Sequence, residues 1–381
     1  MRRAPNHISL VALLFALGCG HGPAAPPERV QGAVRLEVDR DRVVAELDPR
    51  FLSVALDTAQ VLGGAFWSRG GAARSIRGDV VTSPLDLSRL DLQQRLRSLA
   101  PTYLRIGGTA ADLVSYELGE RSGRHSTGDG LRLTAERWEE IVAFAKAGDA
   151  QLIFTLSAGP ATRDARGAWK ADQAATLVEH ATRRGDPVAV WELGNEINAY
   201  PITHGIGHSV SGRQLGRDLT AARAMLDRVG SPARLAAPAS AFWPVIGEFH
   251  PVMARALRHA GRDVQIVTWH YYPQQSRRCP VAVRRASVEQ LLRPAHLDEL
   301  TRWAQLVERA RGQYAPSAEL WLGETGNAQC GGEPGVSDAM AGTLWWIDEL
   351  GALARAGHRV VVRQTLVGSD YGLLDQETLD G

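Results

Sequence analysis

Hydrophobic and polar positions follow two alternating patterns along the chain from about residue 50 onward. Short, almost continuously apolar runs are each followed by a longer amphipathic run. Apolar runs of this length are typical of parallel strands that are covered on both faces. Eight of them can be identified, at residues 51–58, 102–108, 151–158, 188–196, 234–240, 264–272, 319–325 and 359–367. The pattern therefore predicts eight strands with helices between them.

The predicted helices have recognisable ends. Ser211 with Gln214, and Ser287 with Gln290, have the spacing of a capping box. Seven helical stretches between eight strands predict an α/β protein with a (β/α)8 TIM barrel. A doubly wound sheet is the alternative, but it usually has fewer strands and a glycine-rich phosphate loop after the first. No such loop follows the first strand here.

The two ends of the chain fall outside the barrel pattern. Residues 33–47, AVRLEVDRDRVVAEL, alternate apolar and polar residues, which is typical of strands exposed on one face. The chain ends at Gly381, soon after the eighth strand, without an eighth helix. We therefore divide it into N-terminal β-strands over 33–50 and a catalytic barrel over 51–381 that stops after strand eight.

The first 32 residues predict export. Arg2 and Arg3 precede an apolar run over 8–17 that is too short to span a bilayer, as in a secretory signal peptide over 1–19. FALGC resembles a bacterial lipoprotein cleavage site, at which Cys19 would be lipidated and anchor the protein to a membrane. The Pro/Ala-rich residues 20–32 would then form a flexible tether. We expect a periplasmic or cell-envelope lipoprotein, or a secreted protein.

Composition narrows the function classes. Hydrophobic residues make up 44% and charged residues 22% of the chain, so it can bury a large core. The net charge of +1 gives no indication of binding to nucleic acid. The histidines show no ligand spacing such as H-E-x-x-H, so we expect neither a metal nor another cofactor. The oligomeric state is not indicated.

Polar residues collect at the predicted carboxyl ends of the strands, where a barrel forms its active site. They are Asp57, Arg105, Asn195, Glu196, His270, Tyr272 and Glu324. Two of them are glutamates that are far apart in sequence but share one rim. A pair of carboxyl groups in one cleft is what hydrolysis of a glycosidic bond requires, one protonated and one ionised. The sequence thus predicts a glycoside hydrolase.

Several segments resemble the heparanase family, glycoside hydrolase family 79. They are YLRIGGT, WELGNE, VTWHYY, WLGET followed by CGGEPGVSD, and VVVRQTLVGSDYGLLD, and the resemblance runs from about residue 33 to the end. It implies a retaining β-glucuronidase in which Glu196 is the acid/base and Glu324 the nucleophile. Family members also carry a β-sandwich built from the N-terminal strands and a segment after strand eight. That C-terminal part is missing from this chain.

The resemblance implies further roles. Asn195 would hydrogen-bond the sugar 2-hydroxyl, His270 would line the sugar site, and Tyr272 would hold the nucleophile. His270 and Tyr272 are two residues apart on one strand and so face the same way. Arg105 would keep Glu324 ionised, because a nearby cation lowers the pKa of a carboxyl group.

Substrate contacts are also implied. Asp57 and Thr109 match family positions that contact the substrate, although Asp57 could equally cap a helix. Gly331, Gly332 and Tyr371 match positions that receive the carboxylate of a uronic acid, the glycines through backbone N–H groups. The implied partner is a glucuronic-acid-containing oligo- or polysaccharide. A same-clan glycosidase for a neutral sugar and a lipid-anchored polysaccharide-binding protein without turnover are the alternatives.

Two further features depend on the loops at the rim. Cys279 follows the sixth strand and Cys330 the seventh; these loops are neighbours, which favours a disulfide over two free thiols. Arginines that follow the sixth and first strands are either a solvated surface or a basic rim for an acidic polysaccharide. They are Arg277, Arg278, Arg284, Arg285, Arg69, Arg74 and Arg77.

Overall fold

The computed structural model describes residues 37, 39–70, 80–118 and 131–381. The chain divides into two compact units, Met1–Val43 and Val44–Gly381, and every helix and strand given below belongs to the second. The predicted signal peptide, the tether and Cys19 lie outside the described residues. No described helix is long and apolar enough to cross a membrane.

Eight parallel strands form a closed barrel. They are β1 Leu52–Asp57, β2 Thr102–Gly107, β3 Ala150–Leu156, β4 Val188–Leu193, β5 Arg234–Trp243, β6 Ile266–Tyr271, β7 Glu319–Thr325 and β8 Val360–Arg363. Each pairs with its sequence neighbour, and β8 pairs with β1 to close the sheet. The predicted (β/α)8 TIM barrel is confirmed.

A helix follows each of the first seven strands. These helices are α1 Leu90–Arg97, α2 Ala135–Ala147, α3 Asp172–Arg184, α4 Gly212–Val229, α5 Met253–Ala260, α6 Pro294–Tyr314 and α7 Met340–Arg355. The Ser211 hydroxyl accepts a hydrogen bond from the Gln214 amide and caps α4, as its sequence spacing predicts. Ser287 likewise caps a short helix, Val288–Leu291, that precedes α6.

Short paired strands and helical turns lie in the loops between the main helices and strands. Ala65–Phe66 pairs with Val80–Val81, Val114–Glu117 pairs with Leu131–Thr134, and Gly247–Glu248 pairs with the end of β5. Short helical turns cover Thr58–Leu62, Thr109–Leu113, Pro160–Thr162, Ile197–Ala199, Tyr200–Thr203 and Ile206–His208. The last strand ends at Arg363, four residues before its predicted end, and β5 continues three residues beyond its own.

The β-strands predicted for 33–50 do not appear in the part of that segment which the structure describes, residues 37 and 39–50. A sequence that alternates apolar and polar residues forms a stable strand only beside another strand that accepts its backbone hydrogen bonds. Within 39–50 the described residues form bends, turns and extended chain without such a ladder.

The interior of the barrel is layered. Near the start of the strands, Tyr103, Ile153, Val190 and Ile266 belong to one apolar cluster. Two residues further along β2, β3, β4 and β6 the inward positions are polar instead, and they are Arg105, Thr155, Glu192 and Thr268. Because side chains two apart on a strand face the same way, the apolar layer forms the floor of a charged layer that opens to the carboxyl ends.

A buried glutamate behind the sheet predicts a pH-dependent stability. Glu349 on α7 is 1% exposed and accepts a hydrogen bond of 2.6 Å from the Thr325 hydroxyl. Burial raises its pKa from 4.5 to about 8. The folded state therefore holds a proton that the unfolded chain loses, so the free energy of unfolding falls as the pH rises between those two values.

We expect Glu349→Gln to remove this dependence, because glutamine keeps the acceptor for Thr325 but does not titrate. Calorimetric melting temperatures at pH 5 and pH 8 measure it, and the variant should lose less stability across that interval than the unsubstituted protein. Glu308→Gln on the surface of α6 is the control. Parallel pH profiles for Glu349→Gln and the unsubstituted protein would contradict the assignment.

Candidate active site

A cleft of about 730 Å³ opens at the carboxyl ends of the strands. Glu196, after β4, and Glu324, on β7, both line it, as do Asp57, Thr109 and Tyr371. Five of the sequence-predicted residues therefore lie around one cavity, and Tyr272 lines it too. Both glutamates are less than a tenth exposed, so each carboxylate is held by the protein and meets solvent only through the cleft.

The two glutamates converge on a histidine. One carboxylate oxygen of Glu196, one of Glu324 and a ring nitrogen of His270 all lie within 4.8 Å of one another. His270 Nδ1 is 3.1 Å from Glu196 Oε1 and 3.9 Å from Glu324 Oε2. The predicted meeting of two distant acidic side chains is present, and it places both on the same small volume of the cleft.

The chain bends sharply to present Glu196. Gly194 and Glu196 both adopt left-handed backbone conformations, with φ of 69° and 51°. A Cβ on Gly194 would lie 2.7 Å from the Ile197 side chain, so glycine is required there. Asn198 fixes the far side of the turn, since its amide donates to and accepts from the backbone of Ala241 at 2.9 and 2.8 Å. Asn198 thus has a structural role.

Arg105 is the central cation of the site and is fully buried. It donates to Glu324 Oε2 at 2.7 Å, to Asn195 Oδ1 at 2.9 Å and twice to Glu192 Oε2, at 2.9 and 2.7 Å. Because the Asn195 oxygen is used by Arg105, its NH2 group is the part of the amide that can donate to a ligand.

Glu324 is held ionised. Burial alone would raise its pKa, but His270 and Arg105 outweigh burial and lower the pKa below its ordinary value. The Tyr272 hydroxyl adds a hydrogen bond of 2.7 Å to Oε1, which acts in the same direction. Both carboxylate oxygens therefore accept strong hydrogen bonds, as sequence analysis predicted for Arg105 and Tyr272.

The same arrangement is poorly suited to a metal ion. Glu196, His270 and Glu324 have ligand spacing, and each offers one donor atom. However, Arg105 and Tyr272 already bind the two Glu324 oxygens, and the guanidinium is a fixed positive charge 2.7 Å from one of them. A divalent cation would have to displace these donors and would be repelled by Arg105.

Glu192 is a site residue that sequence analysis missed. It is 1% exposed, and its Oε2 accepts hydrogen bonds from Arg105 and from the Thr155 hydroxyl, the latter at 2.7 Å. Its signal was available, because a charged residue in an apolar strand needs a buried partner. Glu192 is two residues after Val190 and so shares its inward face, toward which Arg105 also points.

Asp57 caps a helix and lines the cleft at the same time. Its Oδ1 accepts a hydrogen bond of 2.8 Å from the Ala59 amide at the start of Thr58–Leu62. Burial raises the pKa of Asp57 to about 7, although the Ala59 hydrogen bond acts in the opposite direction. Both of the roles considered for Asp57 are therefore compatible with its position.

The two glycines after β7 differ from expectation. The Gly332 amide donates to the Ala328 carbonyl at 3.1 Å, so its N–H is already used. The Gly331 and Gly332 carbonyls both accept from Arg278 Nη2 at 2.7 Å, and neither glycine lines the cleft. At Gly332 a Cβ would lie 2.7 Å from the Tyr371 amide. The predicted carboxylate receptor is thus wrong for Gly332, which packs two loops together; Tyr371 and Cys330 do line the cleft.

The loops after β6 and β7 are joined by the predicted disulfide. Cys279 and Cys330 are bonded, with their Cα atoms 5.5 Å apart, and both line the cleft.

The arginines of the same region do not form a basic rim. Arg278 is buried against Asp370, partly buried Arg284 pairs with Glu299, and exposed Arg277 pairs with Glu333. Exposed Arg69 pairs with Asp375, and exposed Arg285 donates to the Ser276 and Cys279 carbonyls. Arg74 and Arg77 lie outside the described residues.

Comparison with known proteins identifies relatives of the chain. The sequence model of the N-terminal domain of glycosyl hydrolase family 79 matches residues 35–351. Heparanase-like protein 1 of Arabidopsis thaliana is 29% identical over 77% of this chain and 55% of its own length. Heparanase of Rattus norvegicus is 27% identical over 93% and 69%, and inactive heparanase-2 of Mus musculus 30% identical over 98% and 71%. The chain spans little more than half the length of the first of these relatives.

Solved structures share the barrel. A 4-O-α-L-rhamnosyl-β-D-glucuronidase from Fusarium oxysporum is similar with a TM-score of 0.56 and 16% identity, over 87% of this chain and 66% of that one. A GH51 arabinofuranosidase from Xanthomonas axonopodis pv. citri has a TM-score of 0.60 and 15% identity, over 88% and 70%. At these identities the likeness concerns the fold.

The disulfide predicts a stability effect. It closes a sequence separation of 51 residues. In the chain-entropy account a loop of this size contributes on the order of 4 kcal/mol to the free energy of unfolding. We expect the double variant Cys279→Ser with Cys330→Ser to unfold at a lower urea concentration. The unsubstituted protein in a strong reductant is the matched control and should approach the variant; unchanged stability in reductant would contradict the expectation.

Proposed function

The chain belongs to glycoside hydrolase family 79, and from this premise we propose that it is a retaining glycosidase that cleaves β-linked glucuronic acid. We further propose that residues 1–19 direct its export and that Cys19, once lipidated, anchors it to the cell envelope. The substrate class is a glucuronide, in which the sugar occupies the cleft between Glu196 and Glu324.

The observation that carries the proposal is the approach of the two carboxylates to within 4.8 Å. Retaining enzymes have carboxyl groups roughly 5 to 5.5 Å apart, whereas inverting enzymes leave about 6.5 to 9.5 Å for a water molecule. The short separation supports direct attack on the anomeric carbon by one of the two.

The surroundings of the two carboxylates support different roles. Glu324 accepts hydrogen bonds on both oxygens and has a lowered pKa, so it is ionised and fixed for nucleophilic attack. Glu196 faces His270 across 3.1 Å, and Arg105 does not bind it. In the first step Glu196 donates its proton to the departing oxygen while Glu324 forms a glycosyl ester. In the second, Glu196 takes a proton from water, which attacks the anomeric carbon and releases Glu324.

A uronic acid is supported by the chemistry of the polar side of the cleft. Tyr371 and Gln329 line it, and a phenol hydroxyl and a side-chain amide NH2 group can both donate to a carboxylate. The raised pKa of Asp57, about 7, keeps this carboxyl neutral in mildly acidic solution. A neutral Asp57 does not repel a uronate and can donate a hydrogen bond to it or to a sugar hydroxyl.

One observation favours a second candidate, a glycosidase for a neutral sugar. The Gly332 amide donates to the Ala328 carbonyl, which removes one of the two expected carboxylate donors.

Nitrophenyl glycosides of glucuronic acid, glucose, xylose and arabinose test both candidates directly. We expect kcat/KM to be highest for the β-glucuronide by at least about ten-fold. Preference for an uncharged sugar would replace the first proposal by the second, and binding without hydrolysis would indicate a protein without turnover.

Substitution of each glutamate tests the roles. We expect Glu324→Gln to lower kcat by about 10³-fold or more for every glycoside, because no nucleophile remains. Glu196→Gln should lose a similar factor with poor leaving groups but much less with a dinitrophenolate, which needs no proton. Azide should rescue Glu196→Gln and yield the β-glycosyl azide. Glu308→Gln on the surface is the control, and equal losses for both leaving groups would contradict the acid/base role of Glu196.

Glu192 is expected to position Arg105 and to set the pKa of the nucleophile. Removing its negative charge in Glu192→Gln leaves more of the Arg105 charge for Glu324, so the acidic limb of kcat/KM should move to lower pH. Thr155→Val is the control, because it removes a hydrogen bond to Glu192 without changing the charge. A uniform loss of activity at every pH, with the limb unmoved, would mean that Glu192 only supports the fold.

A further inference from the structure

The cleft has two chemically different sides. Polar residues from the ends of β1, β2 and β8 line one side and include Asp57, Thr109, Gln364 and Tyr371. The loops after β4, β5 and β6 line the other side with Ala199, Ile202, Trp243, Pro280 and Val281, and with Thr203 as a polar residue. A sugar with its many hydroxyl groups fits the first side, whereas the second presents almost only carbon atoms to a ligand.

The position of Glu196 indicates that the leaving group lies on the apolar side. It follows β4, and its backbone amide donates to Ala239 of β5 at 3.1 Å, so its carboxyl lies at the start of the apolar side. An acid that protonates the departing oxygen must be next to the aglycone, the group that leaves. Glu324, on β7, lies between Glu196 and the polar side and contacts the anomeric carbon. The aglycone therefore extends over Ile202 and Trp243.

Trp243 is the main surface of that side. It is partly exposed at the end of β5, and its indole stacks on Phe249 with ring centroids 5.6 Å apart and an interplanar angle of 28°. Phe249 supports the indole, so a flat ligand can stack on Trp243 without first ordering it. Val281, which also lines the cleft, is 56% exposed.

The charges of the cleft disfavour an anionic aglycone. No arginine or lysine is among the described residues that line it, whereas Asp57, Glu196 and Glu324 bring carboxyl groups. Nearby Arg278 and Arg284 are held in ion pairs with Asp370 and Glu299 and are not available to a ligand. A sulfate placed here would lose water without gaining a cation, which is costly.

We propose that the aglycone site of this enzyme takes a flat apolar group, so that its substrates are aryl glycosides more than sulfated sugar chains. The inference rests on the proposed function for the reaction at the sugar side, and it adds the class of leaving group. Trp243 is the residue that determines this specificity, by stacking on the aglycone beside Glu196.

Binding and turnover of three matched glycosides test the proposal. They carry phenyl, 2-naphthyl and 6-sulfonato-2-naphthyl aglycones on the sugar that the nitrophenyl panel selects. Thioglycosides of the same three groups, which resist hydrolysis, give dissociation constants by calorimetry, so the readout does not depend on turnover. We expect the naphthyl compound to bind about ten-fold more tightly than the phenyl compound, from the extra apolar area buried. The sulfonated compound should bind at least about ten-fold more weakly than the naphthyl one.

Substitution of Trp243 tests whether this residue causes the preference for the naphthyl aglycone. Trp243→Ala should bring the naphthyl-to-phenyl ratio of dissociation constants close to one, because both aglycones then lose the indole surface. Leu344→Ala, an exposed apolar residue on α7 away from the cleft, is the control and should keep the ratio. Phe249→Ala, which removes only the support beneath the indole, should give an intermediate ratio and guards against misfolding of Trp243→Ala.

The outcomes separate the two proposals. Equal or tighter binding of the sulfonated compound, or a ratio that Trp243→Ala leaves unchanged, overturns the apolar aglycone site even if all three glycosides are hydrolysed. Preferential binding of the naphthyl thioglycoside without hydrolysis of any glycoside supports the aglycone site and overturns the proposed reaction.

Discussion

One buried guanidinium organises the centre of this barrel. Arg105 binds Glu192, Glu324 and Asn195 together, and each of them comes from β4, β7 or the turn after β4. A buried cation is tolerated only where carboxylates surround it, and a buried carboxylate is tolerated only beside a cation or hydrogen-bond donors. The hydrogen bonds of Arg105 to Glu192 and Glu324 meet both requirements. The position of Glu324 and its charge are therefore consequences of one arrangement that spans three strands.

The barrel and most of the cleft could be predicted from the sequence because they depend on periodicity. Near-continuous apolar runs identify parallel strands, and polar residues where those runs stop identify the open end. Glu196 and Glu324 could be placed in one cleft for this reason, even though the sequence does not give the distance between their carboxyl groups. Resemblance to known proteins then supplied roles for His270 and Tyr272, and both contact the glutamates in the structure.

Other features depend on contacts that no local pattern encodes. The charge of Glu192 within an apolar strand predicts a buried partner, but the strand itself does not show that this partner is Arg105. Gly332 was assigned to ligand binding, but its amide bonds to Ala328, since the loop closes on itself in a turn. Arg278 was a candidate for the surface and is instead buried against Asp370, where it holds two carbonyl groups of that loop. Arg105 and Asp370 come from distant parts of the chain, so spacing in the sequence could not identify them as partners, whereas Ala328 belongs to the same loop as Gly332.

The attachment of the turn after β4 has a consequence for how this molecule can diversify. Asn198 holds that turn to Ala241 of the neighbouring strand, and the Ala199 amide donates to the Glu196 carbonyl at 2.7 Å. Residues 205–209 further along are exposed, so substitutions there leave the Glu196 carboxylate where it is. The surface beside the cleft can therefore vary at these positions while both carboxylates keep their places.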